Sequence, residues 1–287
     1  MDKKWIKRTI VLVAFIVCLH VGHAQPLPPK YENLDKFTTL DSAYLKCAYK
    51  LTYLRDSLKT NSSLTDYQTL LVGGTVSKYY SQQKLDYNES VKKEAEQQSP
   101  YTNFPYGVWS CELFKNYPQG KVTICDIGSK LYGNFVYGEN LPAFDWTLDN
   151  ETQTILSYNC QKAETSFRGR DYVAWFTTDI PIPNGPWQFG GLPGLILKLY
   201  DTKENFVFES TGIENLINRK ESINYYLVEY VKLSRKEYRQ TEKRFHDDWI
   251  QYEKLFGSPM VILVDPTTGK KSRPTSLKLP YNPIELE

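Results

Sequence analysis

Histidine titrates nearest neutral pH and is the commonest metal ligand, and this chain of 287 residues holds three. His20 and His23 lie in an N-terminal stretch with the pattern of a removable signal, which leaves His246. One imidazole excludes multi-histidine zinc sites, an HExxH protease and a three-histidine oxidase. Ser-His-Asp or Cys-His chemistry would have to run through His246 alone, and no GxSxG nucleophile elbow accompanies it. Arg168 and Arg170 flank Gly169 at an expected hairpin tip, where two guanidinium groups could grip a carboxylate or a phosphate. The plainer reading is an exposed turn with ion pairs to Glu164 or Asp171. Paired carboxylates hydrolyse glycosides without histidine, and Glu139, Asp145, Glu164 and Asp171 are available for that. Trp109, Trp146, Trp175, Trp187 and Trp249 could form a sugar platform or line an apolar cavity, although tryptophans scattered through a β protein are more often core. Arg168, Arg170 and Trp187 are therefore the candidate ligand-binding residues. No residue is assigned a catalytic, cofactor or metal role.

Four cysteines follow the N-terminal stretch: Cys47, Cys111, Cys125 and Cys160. No two are separated by only two residues, so neither a zinc ribbon nor a CxxC redox motif is present. In an exported protein four cysteines allow three disulfide connectivities. Val108 to Phe114 and Lys121 to Ile127 read as strands around a turn, Asn116 to Gly120. A hairpin centred on Pro118 sets Cys111 opposite Cys125, and cross-strand Cβ atoms about 4.5–5.5 Å apart suit a disulfide. The alternative is a pair of reduced cysteines packed as small hydrophobes. The redox states of Cys47 and Cys160 stay open.

The elements that position these residues begin after a secretory-type signal. Lys3, Lys4, Lys7 and Arg8 precede a short apolar run, Ile10 to Leu19, which closes on Gly22-His23-Ala24. Cleavage is expected between Ala24 and Gln25, because the run falls short of the roughly 20 apolar residues that a membrane span needs. Cys18 would suit a lipoprotein, but Phe15, Ile16 and Val17 are too bulky for a lipobox. Removing residues 1–24 takes four basic residues and one acid, leaving 31 basic against 32 acidic. A chain so close to neutral has no electrostatic reason to seek nucleic acid. The expected organisation is a signal peptide at 1–24, an extended N-terminal segment at 25–42 and a single β-rich domain at 43–287.

Strand patterns are read over Ala43–Arg55, over a hairpin of Tyr67–Val72 and Thr75–Tyr80, and over a series of short β-branched or aromatic runs. These are Tyr132–Tyr137, Ile155–Tyr158, Lys162–Phe167, Tyr172–Thr177, Leu195–Tyr200 and Phe206–Thr211. Lys84–Gln98 carries a thin apolar stripe and reads as a marginal surface helix. Ser234 and Glu237 form a capping box. Tyr238, Phe245, Trp249, Tyr252 and Phe256 follow at near-helical spacing, with Gly257 placed to end the helix and His246 beside the stripe. The fold class this predicts is mainly β (α+β): a curved antiparallel sheet or partly open barrel with one long C-terminal helix packed on it by that aromatic face.

The least generic stretch is Gly185-Pro186-Trp187-Gln188-Phe189-Gly190-Gly191-Leu192-Pro193-Gly194-Leu195-Ile196-Leu197. Leu192-Pro193-Gly194-Leu195 reads as a type II turn, with Pro193 presetting φ and Gly194 supplying a positive one. Gly190-Gly191 allows two backbones to approach closely or kinks a strand. Glycine amides could form an anion nest; the structural reading is a tight corner wrapped by Trp187 and Phe189.

Gly191 to Ile196 resembles the namesake hexapeptide of the GLPGLI family. The likeness extends from Asp145-Trp146 through Tyr158 to Ala163, Phe167 to Arg170 and Ala174 to Phe176, to Asp201. The closing Asn282-Pro283-Ile284-Glu285-Leu286 also looks family-like, whereas residues 25–107 offer no comparable anchor. The resemblance implies an exported protein of Bacteroidota, from a family whose genes are often associated with outer-membrane transport and which has no established catalytic residues. Gly191, Leu192, Pro193, Gly194, Leu195 and Ile196 are expected to be architectural. The leading expectation is a non-catalytic periplasmic or cell-surface protein that holds an apolar or peptide ligand or assists outer-membrane transport proteins. It would carry no cofactor, bind no nucleic acid and not be integral to the membrane. A carboxylate-dependent hydrolase and a carbohydrate-binding module are the alternatives.

Overall fold

The computed structural model describes residues 34–58, 63–97, 107–256, 263–264, 271–272 and 274–287. The expected signal at 1–24, residues 25–33, the Gly257 cap and residues 265–270 lie outside the described residues. The chain divides into two compact units, one made of Tyr31–Arg239 and Tyr281–Glu287, the other holding Gln240–Pro280.

The larger unit is mainly β. It contains β1 (Phe37–Leu54), β2 (Ser63–Gly73), β3 (Ser77–Ser81), α1 (Gln82–Glu96), β4 (Cys111–Lys115), β5 (Lys121–Ser129) and β6 (Gly133–Asn140). There follow β7 (Thr147–Ile155), β8 (Tyr158–Phe167), β9 (Arg170–Thr177), β10 (Leu195–Asp201), β11 (Phe206–Asn215), β12 (Glu221–Tyr226) and β13 (Val231–Lys232). They build one open sheet of 13 strands in the order β13-β6-β5-β4-β3-β2-β1-β11-β10-β9-β8-β7, with β12 paired to β1. The ladders are antiparallel except β13 on β6, which makes the sheet mixed.

The long strand β1 organises this sheet because its sequence alternates. From Leu45 to Leu51 every second residue is buried, the period of a strand with one face inside, and a bulge between Ala43 and Leu45 turns Ala43 to the other face. Register then carries faces across the ladders. Tyr49 lies opposite Gln68, and Gln68 opposite Ser81, so Tyr49, Asp66, Gln68, Tyr79 and Ser81 share a face. On the other face Ala43, Leu71, Val76, Tyr80, Phe114, Cys125, Ile127, Leu216 and Ile223 form an apolar cluster covered by Tyr225, Tyr226, Val228 and Tyr230.

Three expectations about elements are corrected. Ile155–Tyr158 is not a strand. Leu156 and Ser157 have φ of 49° and 72° and make the two-residue turn between β7 and β8, a backbone that right-twisted hairpins favour. The β4–β5 hairpin pairs Cys111 with Asp126 and Glu112 with Cys125, one residue out of the register that Pro118 at the centre predicts. A one-residue slip moves a side chain to the opposite face. Cys125 therefore joins the apolar cluster while Cys111 Sγ lies 3.6 Å from the Tyr238 hydroxyl, and both cysteines are free thiols. The expected disulfide is absent.

The third correction concerns the helix. The capping box forms: Ser234 N donates to Glu237 Oε2 at 2.7 Å and Glu237 N to Ser234 Oγ at 3.2 Å. Instead of one long helix, however, there are α2 (Arg235–Asp247) and α3 (Trp249–Leu255). Asp248 breaks the run at φ −153°, its carboxylate accepting from Gln251 N as the N-cap of α3. Aspartate side chains compete with helical backbone bonding in this way and favour caps over helix interiors. Aromatic spacing continues through the break and hides it. Tyr238, Phe245 and Tyr252 are buried, but Phe256 is 48% exposed and so leaves the expected stripe. His246 is buried, and its Nδ1–H donates to Pro280 O at 2.6 Å within the smaller unit. Two-residue strands, β14 (Leu263–Val264) and β15 (Lys271–Ser272), pair with each other there.

Candidate functional site

Arg168, Arg170 and Trp187 converge on one place, and it is filled by the chain's own C-terminus. Arg168 and Gly169 form the β8–β9 turn, with φ of 48° and 79°. That turn aims the Arg168 guanidinium at two carboxylates: Nη2 pairs with Glu139, and Nη1 lies 2.5 Å from Glu285 Oε2. Arg170, at the start of β9, is buried; it pairs with Asp201 at 3.0 Å and donates to the Asn282 side chain at 2.8 Å. It also donates to the Pro283 carbonyl at 2.6 Å and the Ile284 carbonyl at 3.1 Å. Trp187 Nε1 donates to Glu285 Oε1 at 3.2 Å. The ion pairs of the two arginines are thus to Glu139, Glu285 and Asp201 rather than to the Glu164 or Asp171 that the sequence allowed.

Glu285 is the centre of the cluster, and only 3% of it is exposed. Besides Arg168 and Trp187, its carboxylate accepts from Gln188 Nε2 at 2.8 Å and from Arg235 Nε and Nη2 at 2.9 and 2.6 Å. Burial by itself would raise the Glu285 pKa, but Arg168 and Arg235 outweigh it and hold the group below its ordinary value. Gln188 Nε2 also donates to Glu139 Oε1 at 3.3 Å. Two carboxyl groups therefore share one amide nitrogen and one guanidinium, that of Arg168, an arrangement to weigh against the paired carboxylates of glycoside hydrolysis. Both are ion-paired to guanidinium, and Glu285, held below its ordinary pKa, is the reverse of a general acid, which needs a raised one. The other acids considered for hydrolysis do not join the cluster. Glu164 pairs with Lys162 at 3.2 Å, Asp171 accepts from Ser166 Oγ at 2.5 Å, and Asp145 offers its main-chain carbonyl to Thr165 at 2.9 Å.

The loop that carries Trp187 and Gln188 is fixed by Lys115, which the sequence reading missed. This lysine on β4 is buried, and its Nζ donates to Asn184 Oδ1 at 2.8 Å, Gly185 O at 2.9 Å and Phe189 O at 2.6 Å. Burial draws its pKa well below the ordinary lysine value, while three acceptors match the three donors of an ammonium. Trp146 Nε1 adds a bond to Gly190 O at 2.9 Å. Leu192, Leu195 and Ile196 are buried, and Ile196 O accepts from the Tyr49 hydroxyl at 2.7 Å. The glycines act differently from expectation. Gly191, not Gly194, holds a positive φ, of 84°. Gly194 is needed for space: a Cβ there would lie 1.9 Å from Thr177 O.

Glu139, Gln188, Asp201, Arg235, Arg239, Asn282 and Glu285 complete the cluster, and of these only Glu139 is a candidate by type, as one of the acids available for hydrolysis. The family-like look of residues 282–286 was the one available signal, and it pointed to identity rather than to contacts. Among the described residues, no group of three or more His, Cys, Asp or Glu is arranged to hold a metal ion, and no helix is long and apolar enough to cross a membrane.

Comparison with known proteins follows the same region. Residues 138–239 match a family model described as the N-terminal domain of an N-glycanase peptide. Two solved structures of PNGF-II, in P21 and C2 space groups, align with 70% and 71% of this chain at 15% identity and TM-scores of 0.44 and 0.45. This chain spans 33% of the length of each. No curated protein matches.

Proposed function

We propose that this chain is a non-catalytic binding or accessory protein of the GLPGLI type, exported to the periplasm or cell surface. One observation carries the reading: the residues that chemistry would use hold the chain's own segments together. Glu139 and Glu285 share Arg168 and Gln188 as partners, and Arg168 and Arg235 keep Glu285 ionised. The signal-like N-terminus and the motif from Asp145 to Asp201 support the address. On this reading the sheet is curved. Support comes from Glu139 on β6 meeting Arg168 beside β9, although these strands stand near opposite ends of the sheet order. The ligand is apolar or peptidic, or the partner is outer-membrane transport machinery.

A second reading, a carbohydrate-binding module, is favoured by the match of residues 138–239 to a domain of an N-glycanase. Native mass spectrometry of protein recovered from the periplasm tests both. A co-purified peptide or lipid supports the first reading and a retained glycan the second. A ligand-free protein that cleaves peptides or glycans overturns the proposal.

A further inference from the structure

The larger unit is one continuous stretch, Tyr31–Arg239, to which seven residues, Tyr281–Glu287, are added after the chain has passed through the smaller unit. Those last residues belong to no strand or helix. They are held as a bound peptide is held, through main-chain groups and a few read side chains. Asn282 Nδ2 donates to Leu54 O at 2.7 Å and its Oδ1 accepts from Arg170. The Ile284 carbonyl accepts from Arg170 Nε and from the Tyr172 hydroxyl at 3.0 Å, while its side chain is buried. The Glu285 carboxylate takes donors from Arg168, Trp187, Gln188 and Arg235, and its carbonyl takes Arg239. Leu286 N donates to Arg168 O at 2.9 Å, with the Leu286 side chain over Gly169. One buried acceptor, Gln188 Oε1, is not met by the tail.

We infer that the surface formed by Arg168, Arg170, Tyr172, Trp187, Gln188 and Arg235 is a peptide-binding groove. It recognises an extended acidic segment of the pattern Asn-Pro-apolar-Glu-apolar, and in this chain its occupant is supplied in cis. The specificity lies in the glutamate, because two guanidinium groups, an indole N–H and an amide converge on that one carboxylate. Proline and the buried isoleucine set the extended backbone that brings it there. This deepens the binding reading above and rests on it, naming the ligand class as an acidic peptide.

The test supplies the segment in trans to full-length protein. A labelled heptapeptide Tyr-Asn-Pro-Ile-Glu-Leu-Glu, and a second peptide with Ala at the first Glu, are titrated into wild type and into Glu285→Ala. The variant is expected to bind the first peptide with micromolar affinity and regain thermal stability, and to bind the second at least tenfold more weakly. Wild type, whose groove is filled, is expected to bind the first peptide at least tenfold more weakly than the variant does. If Glu285→Ala does not fold, Glu285→Gln replaces it. If neither folds, the peptides are added during refolding, and recovery by the glutamate peptide alone supports the groove. Absence of binding or rescue, or equal response to both peptides, overturns it. Should this fail while native spectra show another bound ligand, the groove assignment falls and the binding reading stands.

Discussion

Removing the Glu285 carboxylate is the sharpest perturbation this architecture offers. In Glu285→Ala, Arg168 keeps Glu139, but Arg235 loses its carboxylate, and Trp187 Nε1 and one Gln188 N–H lose their acceptor. Breaking a buried ion pair from one side costs about 3–5 kcal/mol, and each stranded buried donor about 1–3 kcal/mol. Arg235 is partly exposed and recovers water, with 22% side-chain exposure, so the total should stay near ~3–5 kcal/mol. For a chain of this size that lowers the melting temperature by roughly 6–15 °C. Circular dichroism melts of wild type and variant at neutral pH measure it. The pH dependence has a definite sign. The folded-state pKa of Glu285 lies below its ordinary value of 4.5, so its contribution is complete above that pH and lost as pH falls through the folded value. The gap between wild type and variant should therefore close on acidification below about 4.5. A variant melting within ~2 °C of wild type at pH 7, or a gap that widens in acid, would refute the reasoning.

Other consequences are open to direct measurement. Gly194→Ala should destabilise by about 1–3 kcal/mol or more through overpacking against Thr177 O; urea unfolding with unchanged stability would show that the corner relaxes freely. Lys115→Met should free the Asn184–Phe189 loop, leaving three acceptors unmatched; proteolysis there should accelerate, and an unchanged pattern counts against the lysine as the fastener. A chain starting at Gln25 should titrate four thiols in denaturant without reductant. In the native protein burial pushes Cys47 to about 11 and Cys125 to about 12, so both should resist alkylation at pH 8; two or fewer thiols in denaturant would restore a disulfide. His246→Ala strands the Pro280 carbonyl in the smaller unit and should cost about 1–2 kcal/mol, where a silent result would mean the bond contributes nothing.

Local chemistry was legible in the sequence and long-range chemistry was not. The alternation of β1, the β2–β3 hairpin, the Arg168-Gly169 turn and the Ser234–Glu237 box depend on residues a few positions apart, and each formed. Failures within that range have specific causes. Pro118 marks the hairpin, but the register lies one residue off the one it would centre, which turns Cys111 and Cys125 to opposite faces. Asp248 falls inside the helical spacing of the aromatics, yet its carboxylate caps a new helix. Gly194 was read through φ, the commoner reason for a turn glycine, when the reason is contact with a strand 17 residues earlier at Thr177. The site was illegible for a different reason. Arg168 meets Glu285 across 117 positions and Trp187 meets it across 98, and no local pattern marks a glutamate in a proline-punctuated tail as a partner for either.

Binding without turnover is tested by incubating purified protein with a defined N-glycopeptide under native mass spectrometry. Substrate and protein are weighed before and after prolonged incubation, with Glu139→Gln run in parallel. Every glycopeptide molecule is expected to keep its mass, whether bound or free, in both proteins. Release of glycan or peptide by wild type and its loss in Glu139→Gln would contradict it, and would make the Glu139–Glu285 pair a catalytic one.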